Sequence, residues 1–440
     1  MFILIKIKFQ FLDLSFSNLI YLCVFFTYFI FSFIYFFSSN DLKTNILIIT
    51  VPLIVSLYLF ETYSIFNGLH ERNYRTYKKM TGKNYDKRSK YEIYQDLKND
   101  SSVRPGIYTY QFLNENSKIL PLSSFPNKKI IYCNENGYYV LYQSDRYGFN
   151  NQDLVWDREK FDFILIGDSF TNGACVTPEK NIAGNLNKIT NSQNILNLGI
   201  GGGGPMQEYA IIKEYLPTEK KINRLLWIYY EGNDLGNLVF ELDNNILNNY
   251  LNNNNFSQNL KSKNKQLEVF LQEKIEIEEK KIKKNKSKNR NLKIINFILL
   301  KKTRNLIISQ LSIHFNKKDN KIFDKSKYQE KLILDKFREI LSKVKKITND
   351  NEILFYFIYI PDGHRYIKDN NNIKFQNYSY IKNLVNDLKI KFIDINKIIS
   401  IKYRDPLKLY AFNNPGAHFN EQGYNVVSKI IFDEITKMEK

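Results

Sequence analysis

The stretch Phe161-Asp-Phe-Ile-Leu-Ile-Gly-Asp-Ser-Phe-Thr-Asn-Gly173 constrains this chain more than any other. Its centre, Phe163–Ile166, is short, apolar and β-rich, the pattern of a strand buried on both faces of a parallel sheet. Gly167 permits a sharp turn, and Ser169 then opens a helix start whose first backbone amides point outward without partners. A side chain delivered at the C-terminal end of a strand lies where open α/β sheets bind ligands. On its own the Gly-Asp-Ser could equally be a helix cap.

Two further segments bear on that choice. Ile195–Leu198 is a second short apolar run, ending in Asn197-Leu-Gly-Ile-Gly-Gly-Gly-Gly-Pro205, and Trp227-Ile-Tyr-Tyr-Glu-Gly-Asn-Asp234 repeats the pattern. The Ser169 amide, an amide of Gly199 or Gly201 and the Asn233 side chain are three donors that could converge on a developing oxyanion. The consecutive glycines do not form a dinucleotide fingerprint, which needs spaced glycines and an acidic strand end. Gly416-Ala-His-Phe-Asn-Glu-Gln-Gly-Tyr424 precedes a stretch whose Val426, Val427, Ile430, Ile431 and Ile435 recur at helical spacing. His418 therefore sits in the loop opening the last helix, within reach of Ser169.

Taken in order, Gly167-Asp168-Ser169, the Gly199/Gly201 segment, Gly232-Asn233-Asp234 and His418-Phe-Asn-Glu-Gln-Gly resemble the four blocks of the SGNH/GDSL hydrolases. The resemblance runs from about Arg146 to the C-terminus, broken by a long insertion. It implies a flavodoxin-like three-layer α/β/α sandwich with a parallel sheet, acting on acyl esters. It further implies Ser169 as nucleophile, His418 as general base, and an oxyanion hole of the Ser169 amide, Gly199 or Gly201, and Asn233. Asp168 and Asp234 are expected to support the site. The chain departs from the family at two places. The Asp expected three residues before the histidine is Pro415, which leaves Asn413, Asn414 or Asp405 to orient His418. The glycine two residues before the block asparagine is Glu231. A Ser–His dyad or a degenerate site is consistent with these departures, since loss of a triad Asp costs about 10⁴ in kcat in enzymes built around one.

Asp362 and His364, after the apolar Ile353–Ile360, fall at the same sheet edge, but an acid and base two residues apart rarely line up in series. They read as a turn or a substrate contact. His70 and His314 stand without neighbouring chemistry. No Cys/His cluster has ligand spacing, so no metal and no cofactor is expected. Cys23, Cys133 and Cys175 suggest no disulfide framework, and none has the basic surroundings of a reactive thiol.

The N-terminal 70 residues read as a membrane anchor of two hydrophobic helices. Phe16–Phe37 is long enough, at about 20 residues, to cross a hydrocarbon layer, and Ile46–Phe60 follows as a shorter apolar run. Lysines before the first run and a basic cluster after the second put both ends in the cytoplasm by the positive-inside rule. The resemblance instead implies an outward-facing domain, and the side stays open. Residues 71–143 read as a juxtamembrane region with Tyr138–Tyr142 as a strand, and 144–440 as the hydrolase-like domain.

An insertion at about 238–324 is Asn-rich and then basic. Asn244–Asn255 is expected to be a flexible connection, and the insertion to lie over the site as a lid. Most of the net charge of +19 is concentrated in Lys261–Lys318, which includes Lys280-Lys-Ile-Lys-Lys-Asn-Lys-Ser-Lys-Asn-Arg290. Without an aromatic-interleaved basic sheet or a recognition motif, nucleic acid is not the expected partner, whereas anionic lipid or acidic glycan is. Tyr328–Ile347 and Tyr380–Leu388 read as amphipathic helices feeding the strands Ile353–Ile360 and Ile390–Ile395 in βαβ fashion. Asp394 is then a turn residue. The expected partners are therefore an acyl-ester substrate on a glycan or lipid, and a membrane. Transfer to another hydroxyl (O-acyl transfer) and mere glycan or lipid binding are the alternatives.

Overall fold

In the computed structural model, residues 35–67, 69–114, 117–307, 323–367 and 377–440 are described, with Phe29, Ile30 and Phe33. Most of the first apolar run, Phe16–Phe37, and His314 lie outside the described residues. The chain divides into two compact units: residues 1–72 with 283–323, and residues 73–282 with 324–440.

The second unit is built on a five-stranded parallel sheet. In chain order its strands are β5 (Phe163–Gly167), β6 (Ile195–Asn197), β8 (Arg224–Tyr230), β9 (Leu354–Ile360) and β10 (Lys391–Asp394), while β4 (Lys160–Phe161) and β7 (Lys221–Ile222) pair in parallel as a separate two-stranded sheet. In space they run β6-β5-β8-β9-β10, so the second strand lies outside the first, the order of a flavodoxin-like doubly wound sheet. Side chains alternate across a strand, and here both sets are buried. Phe163, Leu165, Leu226 and Ile228 join one core with Ile182, Leu186, Val427 and Ile431. Ile164, Ile166, Leu225 and Trp227 join the other, with Ala210, Ile211, Phe337 and Ile340. Two buried faces explain why these strands carry no polar alternation, and they make the three layers. Each fully buried aliphatic side chain stabilises the sandwich by roughly 1.5–3 kcal/mol.

The helices covering the first face are α5 (Ile182–Thr190) and α13 (Glu421–Glu439), the latter capped by Asn420, whose Oδ1 accepts from the Gly423 amide at 2.9 Å. The other face is covered by α6 (Pro205–Tyr215), α10 (Phe323–Asp350) and α11 (Asn377–Asp387). Asp394 ends β10 and caps the helix α12 (Ile395–Lys402) through the Lys397 amide, at 2.9 Å.

Residues 73–143 do not stand apart from the sandwich. They hold α2 (Leu69–Thr81, shared with the other unit), α3 (Lys90–Leu97), and a small sheet in which β1 (Val103–Pro105) runs parallel to β2 (Lys129–Ile131) and β3 (Leu141–Gln143) antiparallel to it. Ile93, Phe112, Ile130 and Tyr142 belong to the same core as Trp227. Within the insertion, α7 (Asp234–Glu241) is followed by α8 (Asn245–Asn252) and α9 (Asn264–Ile298). The segment expected as a flexible Asn-rich connection is thus largely a helix. Asn244 caps it through the Leu247 amide at 3.0 Å, and Leu247, Tyr250 and Leu251 bury one face. The first half of α9 packs Leu267, Leu271 and Ile275 into the main core, and the Phe270 and Phe112 rings meet at 5.4 Å.

The first unit contains α1 (Asn40–Phe66), capped by Ser39. It is long and apolar enough to cross a membrane, and side chains such as Ile49, Leu59 and Phe66 stand exposed.

Candidate active site

Strand β5 ends at Gly167, whose φ of +154° and surroundings exclude a side chain: a Cβ there would lie 2.2 Å from Thr171 Oγ1 and 2.5 Å from the Ile228 carbonyl. The chain turns into the single-turn helix α4 (Ser169–Asn172). Asp168, fully buried, caps it by accepting from the Phe170 amide at 2.8 Å. Burial pushes the Asp168 carboxyl above the ordinary carboxylate range.

Ser169 Oγ lies 2.8 Å from His418 Nε2 and 3.3 Å from Asp168 Oδ2. His418 immediately precedes Phe419, which forms an antiparallel bridge with Tyr410, and it packs against the Phe170 ring at 4.8 Å, which restricts its orientation.

The carboxylate on the far side of the imidazole is Glu135. Its Oε1 is 2.9 Å from His418 Nδ1, and its Oε2 accepts from the His418 amide at 2.8 Å. This corrects the expectation from sequence. Asp405 is exposed and begins the turn at 406–409, while Asn414 accepts from the Gly416 amide at 3.2 Å inside its own loop. The carboxylate comes from the β2–β3 connection, not from the loop before the histidine. Pro415 stands where the Asp would be, and its backbone packs so closely on Gly363 that a Cβ there would lie 2.6 Å from the Pro415 carbonyl.

Burial acts to lower the pKa of the His418 imidazolium, but the Glu135 carboxylate, its hydrogen bond and Asp168 outweigh it and raise the value. Burial acts to raise that of Glu135, and the imidazolium outweighs it in the opposite sense. The two shifts describe one ion pair seen from either side.

A disulfide between Cys133 and Cys175 ties the Glu135 loop to the segment following Ser169. The expectation of no disulfide framework is therefore wrong. The reason is spatial: the pair is 42 residues apart in sequence but 5.1 Å apart at Cα, because the small sheet docks on the sandwich beside α4. Asn136 adds a second tie, donating to the Cys175 carbonyl at 2.8 Å. Glu135, Cys175 and His418 have donor atoms close enough to suggest a cation site, but the Cys175 sulfur is held in the disulfide. Two cysteines flanking Glu135 and Ser169 were the available signal for this arrangement, had they been paired.

The oxyanion candidates separate. The Gly199 amide is directed to Asn197 Oδ1 at 2.9 Å, so it is not aimed at a ligand. The Gly201 amide has no acceptor within hydrogen-bond distance among the described residues. Asn233 is the N-cap residue of α7, with its side-chain oxygen buried and unpartnered. Asp234 is fully buried and accepts from the Tyr230 amide at 2.8 Å; burial, then the neighbouring Glu208 and Asp168 carboxyls, push it well above the ordinary range. Asn197, Asn172 and Asn150 lock these loops together through bonds of 2.9 Å to the Thr171, Gly199 and Asn172 carbonyls.

Glu231 is a structural anchor. Its nearly buried carboxylate pairs with Arg365, accepts from the Tyr359 hydroxyl and takes the Asp362 amide at 3.1 Å. A cleft of ≈ 380 Å³ opens beside Asn233 and Gly202, walled by Tyr110, Leu113, Asn237 and Phe240.

No family model and no curated protein matches the chain. Among solved structures it is similar to the acetyl xylan esterase AlAXEase, at 12% identity and TM-score 0.33 over 62% of this chain and 100% of that one. It is also similar to a lipase/acylhydrolase from Enterococcus faecalis, at 11% and 0.33 over 63% and 96%. A protein assigned to the G-D-S-L lipolytic family from Desulfitobacterium hafniense follows, at 10% and 0.31 over 62% and 98%.

Proposed function

We propose that this chain is a membrane-anchored serine hydrolase of the SGNH type, acting on an acyl ester of a glycan or lipid. The observation that supports it best is the continuous line from Glu135 through His418 to Ser169, with contacts of 2.9 and 2.8 Å. In this reading Ser169 Oγ attacks the ester carbonyl and its proton passes to His418 Nε2. Glu135 holds the ring and stabilises the imidazolium. The oxyanion forms against the Ser169 and Gly201 amides and the Asn233 side chain. His418 returns the proton to the departing alcohol, and the acyl-enzyme is then resolved by water or by an acceptor hydroxyl.

Glu135 supplies the charge that Pro415 withholds, and Glu231 has a structural task of its own. The two departures from the family pattern therefore no longer favour a degenerate module. The Cys133–Cys175 bond favours an oxidising compartment and hence an outward-facing domain tethered by α1. The test is a fluorophosphonate probe on full-length protein in detergent. Labelling that disappears in Ser169→Ala is expected. Absent labelling of folded wild-type protein would overturn the reading.

A further inference from the structure

The far end of the insertion carries a feature the site does not use. Helix α9 closes at Ile298, the chain turns through Leu299 and Leu300, the latter at φ +48°, and residues 301–307 are again helical. A turn between two helices leaves carbonyls on one side and amides on the other without intrahelical partners. Here α1 satisfies both. Tyr58 donates its hydroxyl to the Ile298 carbonyl at 2.9 Å, and its ring meets Phe297 at 5.5 Å. One turn further along α1, Glu61 accepts from the Lys302 amide at 2.9 Å, the Thr303 amide at 2.7 Å and the Thr303 hydroxyl at 2.8 Å.

Glu61 is 1% exposed and is the one acidic residue between Asp41 and Glu71, inside an otherwise apolar helix. A carboxylate placed there is costly unless it caps something that water does not reach. Around this buried polar joint the outer surface is apolar: Ile294, Ile295, Ile298, Leu299, Leu306 and Ile307 are each 46–58% exposed. So many exposed large apolar side chains within residues 294–307 are what soluble surfaces avoid, and α1 likewise exposes apolar side chains such as Ile49, Leu59 and Phe66. Glu61 lies 21 residues along α1 from Asn40, a rise of roughly 31 Å, about one hydrocarbon thickness. The joint therefore falls near one boundary of the layer that α1 would cross. Lys301 and Lys302 are exposed there, and the basic run Lys280–Arg290 precedes it in sequence.

We infer that residues 294–307 form a second membrane-contact element, a helical hairpin lying in the interface of an anionic bilayer and clamped to α1 by Tyr58 and Glu61. The inference rests on reading α1 as the membrane anchor. It gives the insertion a task other than that of a lid: its tip is held at the bilayer beside the anchor. The apolar side chains enter the acyl boundary while the lysines meet headgroups.

The test uses full-length protein in phosphatidylcholine–phosphatidylglycerol vesicles, with Cys23→Ser as background and the native disulfide left oxidised. An NBD label is attached at Ile298→Cys or Ile307→Cys, with Leu59→Cys in α1 and Ile277→Cys in α9 as references. Loss of most of the fluorescence to spin-labelled lipid at 298, 307 and 59, but not at 277, is expected. Quenching at 59 alone overturns the inference and leaves the anchor standing. No quenching at 59 removes the anchor and the inference together. Labels at 298 and 307 shielded from both lipid quencher and aqueous iodide would mean a protein neighbour on that face, which also overturns it.

Discussion

Among the described residues, two histidine–carboxylate pairs stand at one sheet edge, and they are built in opposite ways. His364 and Asp362 are two residues apart. Asp362 accepts from the His364 amide at 2.9 Å, and the same Oδ1 lies 2.6 Å from His364 Nδ1. That is a turn closing on itself, and Glu231 holds the Asp362 amide from below. His418 and Glu135 are 283 residues apart and meet at 2.9 Å because a small sheet docks against the sandwich and a disulfide fixes the docking. The local pair needs only a loop; the distant pair needs the whole fold. The distant pair places its second imidazole nitrogen 2.8 Å from the Ser169 hydroxyl, so a short sequence spacing does not mark the histidine that reaches the nucleophile.

The sharpest way to break the comparison is to remove each histidine. His418→Ala and Ser169→Ala are each expected to lower kcat for a short-chain p-nitrophenyl ester by about 10⁴–10⁶. Similar losses from His364→Ala would invert the assignment. Glu135→Gln is next in size. Loss of about 10²–10⁴ in kcat is expected, because the amide holds the ring without stabilising its cation.

Glu135→Gln also has a pH signature that simple misfolding does not. His418 must be neutral to accept a proton, and its pKa is raised, so kcat/KM in the wild type should rise with pH through a limb above the ordinary imidazole value of about 6.5. Burial alone lowers that pKa. Removing the Glu135 charge therefore moves the limb to lower pH while the plateau falls. A limb that stays in place would show that Glu135 does not act on His418. The linkage to stability has matching signs. The His418 contribution is full below the unfolded imidazole pKa and is lost as pH rises through the raised one. The Glu135 contribution is present above the unfolded carboxyl pKa and is lost as pH falls through the lowered one.

What was legible in the sequence follows the same division between local and remote. Ser169 after a buried strand, His418 before an amphipathic helix and the αβ alternation are short-range patterns, and the sheet order and the 2.8 Å contact agree with them. Glu135 sits in Cys133-Asn-Glu-Asn-Gly137, a polar turn like many others, and the one nearby mark, Cys133, speaks only once it is paired with Cys175. Its position depends on where β2 and β3 dock, which is set by the shared core of Ile130, Tyr142 and their neighbours. Gly199 misled for a different reason: which amide of a glycine run faces a ligand depends on Asn197, whose side chain turns the Gly199 amide inward. The helix within the Asn-rich stretch was hidden by composition, since asparagine caps helices as readily as it loosens chains.

The disulfide tests the long-range pair through its scaffold. Cys133→Ser, or reduction of the wild type, is expected to cost about 2–4 kcal/mol of stability in denaturant titrations. Activity should fall less than in Glu135→Gln, because Asn136 and the core still hold the loop. If full reduction leaves both stability and rate unchanged, the docking of the small sheet does not depend on the crosslink.

The smallest effect belongs to the local pair. His364 is 38% exposed at its side chain, and the loop that carries it is already fixed by Glu231, Arg365 and the packing of Gly363 on Pro415. His364→Ala removes the ring contact to Asp362, while the Asp362 carboxylate keeps the backbone amide at position 364. A stability change within about 1 kcal/mol is therefore expected, with kcat/KM nearly unaltered for a small ester. A larger substrate could respond differently, because the Pro415 loop on which Gly363 rests leads directly to His418. If His364→Ala raises KM for a bulky acylated substrate while sparing p-nitrophenyl acetate, the local pair belongs to the substrate channel. If neither substrate responds, its role ends with the turn.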